Sequence, residues 1–533
     1  MLDGLAWEPW LGTEVRCYPG RVRTIVAALD AAVTAFPDRT ALETAEGDVT
    51  YAELAELVEG AGERLAEEGL RPGDRLAACL PNGLDIVVAI WACARAGAVF
   101  VGLSTRLAPA QWAYMLGHSG PRLALADPEL YEDLQAAAAE AGLPEGQVRE
   151  VGDHLVGRRR PWRGDSVPFP HEDTTYAVVY TSGTTGRPKA SQLVHRCTMH
   201  SAIAYVRTLA LTGDDRTAIA FPLYYVTAHV AQITPMMLVG GTSVTMAEVV
   251  PRDFVRLIRE RRITYLMVVP SLWPLLLRED DFAWPELAHL EIGAFGGSPV
   301  PLSTVAALRR RMPQLRLYDA YGLTETHSPA TILLDSEFRR KPGSVGRPVP
   351  CADVRVVGDD GVDVSDGCAG ELWIRGPMVT SGYYGDPEAT ERAITDGWLH
   401  SGDYARVDDE GYVFILDRKK DMITRGGFKV YSVELEYLLV SNPDIAEAAV
   451  FGVPDPLAFE AVAAYVVPAA GRKVEVADVQ GWVAGRMADY AVPRHVRVVE
   501  ALPRNRTGKV EKGALRETFL AVRAASRRRP DSG

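Results

Sequence analysis

The sequence predicts an α/β protein: a large N-terminal domain of helix-covered, mostly parallel sheets carrying a β-subdomain, followed by a small α+β domain. Three observations lead there. Helical and extended patterns alternate from Arg21 to about Asp127, the arrangement that buries a parallel sheet between helices. Between residues 343 and 416 the pattern changes to short alternating runs, such as 353–357 and 371–375, separated by Gly, Pro and Asp as in antiparallel strands. At Asp417-Arg418-Lys419-Lys420-Asp421 the strands give way to a dense charge run, which marks a boundary between bodies spanning 1–416 and 417–523. A length of 533 residues also exceeds what one core organises.

Helical spacing covers 25–36, 51–68 and 85–96, with extended segments at 41–43, 75–80 and 98–103 between or after them. The stretch 84–103 is apolar enough to raise the question of a membrane span, but Asp85, Arg95 and Gly97 interrupt it, so a buried helix leading into a strand is expected. The Ala-rich stretch 130–140 reads as a surface helix. The basic run Arg158 to Arg163 fits either a polyphosphate patch or a solvated connection. Further on, 196–209 is helical, 217–222 extended, and 230–238 a short apolar segment ending at Gly240-Gly241. Strands are expected at 265–269 and 292–296, and a hairpin at 404–407 and 412–416 turned by Asp408-Asp409-Glu410-Gly411. In the last body a helix over 475–490 would place Val476, Val479, Val483, Met487 and Tyr490 on one face. The Arg-rich tail 524–533 is expected to be disordered.

Composition narrows the function classes. A hydrophobic share of 47% with 24% charged residues excludes a mostly disordered chain. A net charge of −13 argues against a nucleic-acid binder, so an anionic ligand must be held by local positive charge. Lysine is scarce, eight against forty-nine arginines, and five of the eight (Lys189, Lys419, Lys420, Lys429, Lys509) fall in motif segments. The six cysteines are scattered without metal-ligand spacing, and the N-terminus lacks a signal-peptide pattern; both predict a cytoplasmic protein, and the interrupted stretch 84–103 predicts no membrane span.

The chemistry centres on Tyr180-Thr181-Ser182-Gly183-Thr184-Thr185-Gly186-Arg187-Pro188-Lys189. It follows an apolar strand, 176–180, so hydroxyls, glycines and a lysine emerge together from a sheet end, where ligands bind in such folds. Glycines let backbone N–H groups face an anion, the hydroxyls add donors, and the lysine adds charge, a set suited to polyphosphate. It departs from the common P-loop, because Arg187 and Pro188 separate the second glycine from Lys189. Taken alone the composition also fits a flexible linker. Downstream, Ile292 to Gly296 runs into the turn Gly296-Gly297-Ser298, and Asp319-Ala320-Tyr321-Gly322-Leu323-Thr324-Glu325 sets an aromatic, a hydroxyl and a carboxylate after a strand. Asp403, in Ser401-Gly402-Asp403, is readable as no more than a turn residue.

Together these motifs resemble the adenylate-forming (AMP-binding) superfamily, in its acyl-CoA synthetase branch, over about residues 20–523. The resemblance implies ATP, Mg²⁺ and coenzyme A. It implies that Thr181, Ser182, Gly183, Thr184, Thr185, Gly186 and Lys189 hold phosphates, that Tyr321 stacks on adenine beside Asp319 and Gly296, Gly297 and Ser298, and that Thr324 and Glu325 are catalytic, Glu325 as the metal ligand. Asp403 would accept the ribose hydroxyls with help from Arg418; Lys420 would be the hinge that makes the C-terminal domain mobile. Gly427 would leave room for a pantetheine arm, and Lys509 would face the developing charge in adenylation. The expected reaction joins a carboxylic acid to CoA through an acyl adenylate.

Two departures stand out. The family's aromatic gate by the acid pocket matches at Pro222, Leu223 and Tyr224, but Tyr225 stands where histidine is usual, and His229, one turn on, fits either the pocket or the core. After Lys189 the usual glycine is Ala190; if that position needs φ > 0, adenylation would be weakened and the chain would work on an adenylate made elsewhere. Three alternatives remain: an amino-acid adenylation domain, disfavoured because Phe221-Pro222-Leu223-Tyr224 lacks the gate Asp such domains carry; a luciferase-like oxygenase, which would share every motif; and a nucleotide-binding sensor without turnover, which would have no use for Lys509. Tyr224, Tyr225, Thr227, His229 and Gln232 suggest a functionalised or ring-bearing acid. Oligomeric state is not legible.

Overall fold

Two large sheets share one core. In the computed structural model, which describes residues 4–527 apart from 156, 167, 182–187, 299, 366, 426–427, 470 and 505–509, a six-stranded sheet runs in the order Lys189–Val194, Thr175–Thr181, Val99–Gly102, Arg75–Cys79, Leu123–Ala126, Val148–Glu150. Only the first pair is antiparallel. The nine-stranded sheet is parallel from Arg316–Tyr321 through Ile292–Gly296, Tyr265–Val268, Arg216–Ile219 and Thr242–Thr245 to Thr40–Glu43, with antiparallel strands at its edges. Helices Ile25–Ala35, Tyr51–Glu67, Leu84–Arg95 and His195–Leu209 bring Leu29, Tyr51, Trp91 and Tyr205 into a cluster with Phe100 and Tyr176 of one sheet and Tyr265 and Ile292 of the other. Strands buried on both faces, such as Tyr265–Val268, read as continuous apolar runs for that reason.

The β-subdomain is antiparallel as expected: Asp353–Val357, Gly370–Arg375, Trp398–Val407 and Val413–Arg418. Its last strand reaches Arg418, because Asp403 pairs with Arg418 across the hairpin. The following sheet begins at Ile423–Arg425 and contains Phe428–Val430, Ile445–Asp455, Phe459–Pro468 and His495–Val498 around its own core of Leu435, Val450, Val462, Val479 and Val483.

The structure corrects some local expectations and fills in others. The segment expected at 230–238 is a π-helix, Ala228–Ile233, continued by the α-helix Thr234–Val239. The helix expected over 475–490 is shorter, Val476–Ala484; Gly485 closes it, and Val476, placed on the apolar face by its spacing, is exposed. The helix Lys512–Arg527 runs into the tail expected to be disordered, since Ala and Arg there are strong helix formers. The basic run 158–163 is a connection laid along the acidic face of helix Tyr51–Glu67: Arg158 pairs with Glu67 at 2.8 Å, Arg159 with Glu53 at 3.2 Å, Arg160 with Glu63 at 2.9 Å and Arg163 with Glu59. No helix among the described residues is long and apolar enough to cross a membrane.

Candidate active site

Antiparallel pairing sets Thr181 opposite Lys189 and Tyr180 opposite Ala190 at the mouth of the phosphate loop. Ser182, Gly183, Thr184, Thr185 and Gly186 lie outside the described residues. Helix Pro109–Ser119 braces both ends of the loop. The Tyr180 hydroxyl donates to the Met115 carbonyl at 3.2 Å and lies 2.9 Å from His118 Nδ1, and the Tyr114 hydroxyl donates to the Pro188 carbonyl at 3.3 Å. Ala190 is extended and 2% exposed, and its carbonyl accepts from Tyr384 N at 2.8 Å. It is not among the residues with positive φ. The strain that would have weakened adenylation is therefore absent, because the strand and not a turn begins at Lys189.

The segment Thr380 to Tyr384 lies along that strand: Gln192 N donates to the Gly382 carbonyl at 3.1 Å and Thr380 Oγ1 to the Gln192 carbonyl at 2.8 Å. This puts Tyr383 between two predicted site residues. The Lys189 ammonium sits 4.8 Å from the Tyr383 ring centroid, and the Tyr383 hydroxyl donates to Glu325 Oε1 at 2.9 Å. Burial and the neighbouring Glu325 push the Tyr383 phenol up, so it stays a donor. Tyr383 was not anticipated; the available signal was Gly382-Tyr383-Tyr384-Gly385, aromatics between glycines in a segment otherwise read as a spacer.

The nucleoside side is built on adjacent parallel strands. Phe295 pairs with Asp319 and Gly296 with Ala320, which places the Gly296–Ser298 turn beside Tyr321. Gly297 has φ +88° and open space around it, a backbone that side-chain-bearing residues rarely adopt. A Cβ on Gly296 would meet the Met267 side chain, so packing also favours glycine there. Tyr321 donates through its hydroxyl to Asp403 Oδ2 at 2.6 Å, and Arg418 Nε lies 2.7 Å from Asp403 Oδ1. Asp403 is 2% exposed, so this buried carboxylate is held by one phenol and one guanidinium. Asp319 is buried nearby, and burial pushes its carboxyl up to about 7. Thr324 and Glu325 occupy the short 3₁₀ turn Thr324–Thr326, and Thr380 N donates to the Glu325 carbonyl at 2.7 Å.

At the gate, Tyr224 and Tyr225 meet edge to face with centroids 4.8 Å apart. Gly102 makes room for Tyr224: a Cβ there would lie 2.6 Å from that of Tyr224. His229 is a core residue and not a pocket wall. It is 1% exposed, with Nε2 2.6 Å from the Leu223 carbonyl and Nδ1 3.2 Å from the Tyr176 hydroxyl, because the π-helix turns its ring inward behind the gate.

Of the remaining predicted residues, Lys420 lies in the exposed turn after Val413–Arg418, while Gly427 and Lys509 lie outside the described residues. Across that turn, Asp417 accepts from Ser432 N and from Ser432 Oγ at 2.9 Å, and Lys512 reaches Glu436 at 2.8 Å and Ser432 Oγ at 2.5 Å. Lys429 pairs with Asp359 at 2.8 Å and contacts the Tyr404 hydroxyl at 3.0 Å, both in the β-subdomain. Among the described residues no three His, Cys, Asp or Glu side chains form a metal cage. The single carboxylate of Glu325 beside Lys189 fits a cation carried in by polyphosphate.

A family profile described as AMP-binding enzyme matches residues 29–384, and one described as AMP-binding enzyme C-terminal domain matches residues 434–509. The chain belongs to the AMP-binding enzyme family. This AMP-binding enzyme is 34% identical over 486 residues to a feruloyl-CoA synthase of Amycolatopsis sp, covering 91% of this chain and 96% of that one. It is 34% identical over 493 residues to an indoleacetate–CoA ligase of Aromatoleum aromaticum, covering 90% and 95%. Among solved structures it resembles ATP-bound MatB from Rhodopseudomonas palustris, with a TM-score of 0.86 and 29% identity over 94% of this chain and 99% of that one. It also resembles the o-succinylbenzoate CoA synthetase MenE of Bacillus subtilis in complex with its acyl-adenylate intermediate, with a TM-score of 0.81 and 28% identity over 95% and 98%.

Proposed function

We propose that this AMP-binding enzyme is an acid–thiol ligase that joins a ring-bearing or functionalised carboxylic acid to CoA with MgATP. The observation that carries it is the pair of polar constellations four residues apart on one segment, Tyr321 on Asp403 and Glu325 on Tyr383, with Lys189 against the same tyrosine. One recognises a diol, the other a polyphosphate. The aromatic pair Tyr224 and Tyr225, and relatives named for feruloyl and indoleacetate substrates, support the ring-bearing class.

The reaction has two displacements. A carboxylate oxygen attacks the α-phosphorus of ATP, and the bond to pyrophosphate breaks; the thiolate sulfur of CoA then attacks the acyl carbon, and the C–O bond to AMP breaks. The first brings two anions together, so placement and positive charge matter more than acid–base chemistry. Lys189 would draw charge from the phosphates, Asp403 and Tyr321 would anchor the nucleoside, and Lys509 would stabilise charge developing between acid and α-phosphate. Mg²⁺, when bound through Glu325, supplies further neutralisation of the phosphates. Rotation about Lys420 would exchange the Lys509 loop for the thiol-binding hairpin, so the segment 417–523 would act as a lid. We place the enzyme in the cytoplasm, from its scattered free cysteines.

A panel of ring-bearing, short-chain and long-chain acids, scored separately for pyrophosphate release and CoA thioester, tests the proposal. Both products are expected in step for one class of acid. Pyrophosphate release with CoA inert and a carrier-protein thiol active would overturn the acceptor assignment; no pyrophosphate with any acid, despite ATP binding, would overturn the ligase.

A further inference from the structure

The gate tyrosines are carried by a peptide that two side chains grip from opposite sides. Asn82, in the loop between strand Arg75–Cys79 and helix Leu84–Arg95, uses its whole amide: Oδ1 accepts from Leu223 N at 2.8 Å, and Nδ2 donates to the Phe221 carbonyl at 3.0 Å and the Ile219 carbonyl at 3.4 Å. The Leu223 carbonyl, on the other side of the same residue, lies 2.6 Å from His229 Nε2. Both backbone groups of the residue preceding Tyr224 are thus held by side chains, one far from it in the sequence and one six residues on.

The partners assign the imidazole. A carbonyl only accepts, so Nε2 carries the hydrogen, and Nδ1 presents its lone pair to the Tyr176 hydroxyl at 3.2 Å. Tyr176 then donates to His229 and accepts from Thr198 Oγ1, 3.0 Å away. The result is one directed chain, Thr198 to Tyr176 to His229 to the Leu223 carbonyl, with all four residues buried. Tyr176 lies on the strand that ends in Thr181, so the support of the gate and of the phosphate loop share an element. The chain takes this direction with a neutral ring, and burial holds the His229 imidazole down at about 4.

We infer that Asn82 and neutral His229 are positioning residues that fix the Leu223 peptide and so set how Tyr224 and Tyr225 close on the carboxylic acid, making them determinants of acid selection. The inference rests on Tyr224 and Tyr225 being the acid gate. Neither side chain needs to touch substrate. Both act through one peptide, where a shift of a fraction of an ångström moves two aromatic rings.

The test uses the full chain, the two acids of the panel with the highest kcat/KM, and the variants Asn82→Ala, Asn82→Asp, His229→Leu, His229→Gln and Tyr225→Ala. Asn82→Ala and His229→Leu are expected to raise KM for the better acid about 5- to 30-fold, the scale of one or two lost buried hydrogen bonds, and to erode discrimination between the acids. KM for ATP and single-turnover CoA transfer from a synthetic acyl adenylate should stay within about twofold. His229→Gln keeps an N–H donor and should regain part of the loss; Asn82→Asp keeps the Leu223 contact while losing both donors, and serves if alanine prevents folding. Acid KM and discrimination unchanged in folded Asn82 and His229 variants, or acid and ATP KM rising equally, would overturn the clamp. If Tyr225→Ala leaves acid KM and discrimination as in the wild type, the gate reading itself fails; a shift with Tyr225→Ala but none with the clamp variants overturns the clamp alone.

Discussion

Tyr383→Phe removes one hydroxyl and nothing else from the contact between the loop lysine and Glu325, the proposed metal ligand. The ring stays, so the approach of Lys189 at 4.8 Å survives, while the 2.9 Å bond to Glu325 Oε1 is lost. A hydrogen bond to an ionised carboxylate contributes about 1.5–3 kcal/mol, and the partial exposure of Tyr383 brings that to about 1–2 kcal/mol, or roughly 5- to 30-fold. The effect should fall on the cation, since the lost donor orients the proposed Mg²⁺ ligand. Binding of a fluorescent ATP analogue, titrated with Mg²⁺ and repeated in EDTA, separates the two contributions. Half-saturating Mg²⁺ should rise about 5- to 30-fold, with metal-free affinity within about twofold. Tyr383→Leu, which also removes the ring, should lower metal-free affinity further, by about 0.5–1 kcal/mol. Equal weakening with and without Mg²⁺ in Tyr383→Phe, or no change, would refute the positioning of Glu325 by Tyr383.

Lys509→Ala should slow pyrophosphate release by about 10²–10³ while sparing thioester formation from a supplied adenylate, and equal loss in both would refute that division. Lys420→Pro fixes φ at the proposed hinge, so single-turnover assays should show adenylate accumulating with suppressed acyl-CoA; unchanged output would move the pivot elsewhere. Asp319, pushed up to about 7 by burial, stabilises the fold most below its ordinary value near 4 and loses that contribution as pH rises toward 7. Asp319→Asn should therefore gain stability over the wild type between pH 5 and pH 8 in urea unfolding, by on the order of 2–3 kcal/mol, and parallel pH profiles would contradict the burial argument. Ala190→Gly should leave pyrophosphate release unchanged and cost about 0.5–1 kcal/mol of stability, because the residue is extended; faster release would revive the strain argument.

Much of the site was legible because its residues sit where strands end. Thr175–Thr181, Ile292–Gly296 and Arg316–Tyr321 are largely buried strands that stop at the proposed site residues, so the change from hydrophobic to Gly, Thr, Tyr and Asp is itself the signal. Asp403 was ambiguous in one dimension, and its meaning came from register: pairing with Arg418 across the hairpin and the reach of Tyr321 from another sheet. Tyr383 and Asn82 could not be read in the same way. Each acts on residues far off in sequence, Asn82 on Leu223 and Tyr383 on both Lys189 and Glu325, and local periodicity carries no trace of such contacts. Helical spacing left His229 open between pocket and core, and the π-helix Ala228–Ile233 decides for the core. Ala190 was open because the sequence does not say whether the position after Lys189 needs positive φ; the chain there is already an extended strand.

The central claim is that the acid becomes an adenylate before it becomes a thioester, and the fate of its oxygen tests this most directly. The acid selected by the panel, labelled with ¹⁸O in both carboxyl oxygens, is turned over with ATP and CoA, and AMP, pyrophosphate and acyl-CoA are analysed by mass spectrometry. If the carboxylate attacks the α-phosphorus and the thiol then releases AMP, one ¹⁸O appears in each AMP, one remains in the thioester carbonyl, and none enters pyrophosphate. Unlabelled AMP, or label in orthophosphate accompanied by ADP, would contradict the account.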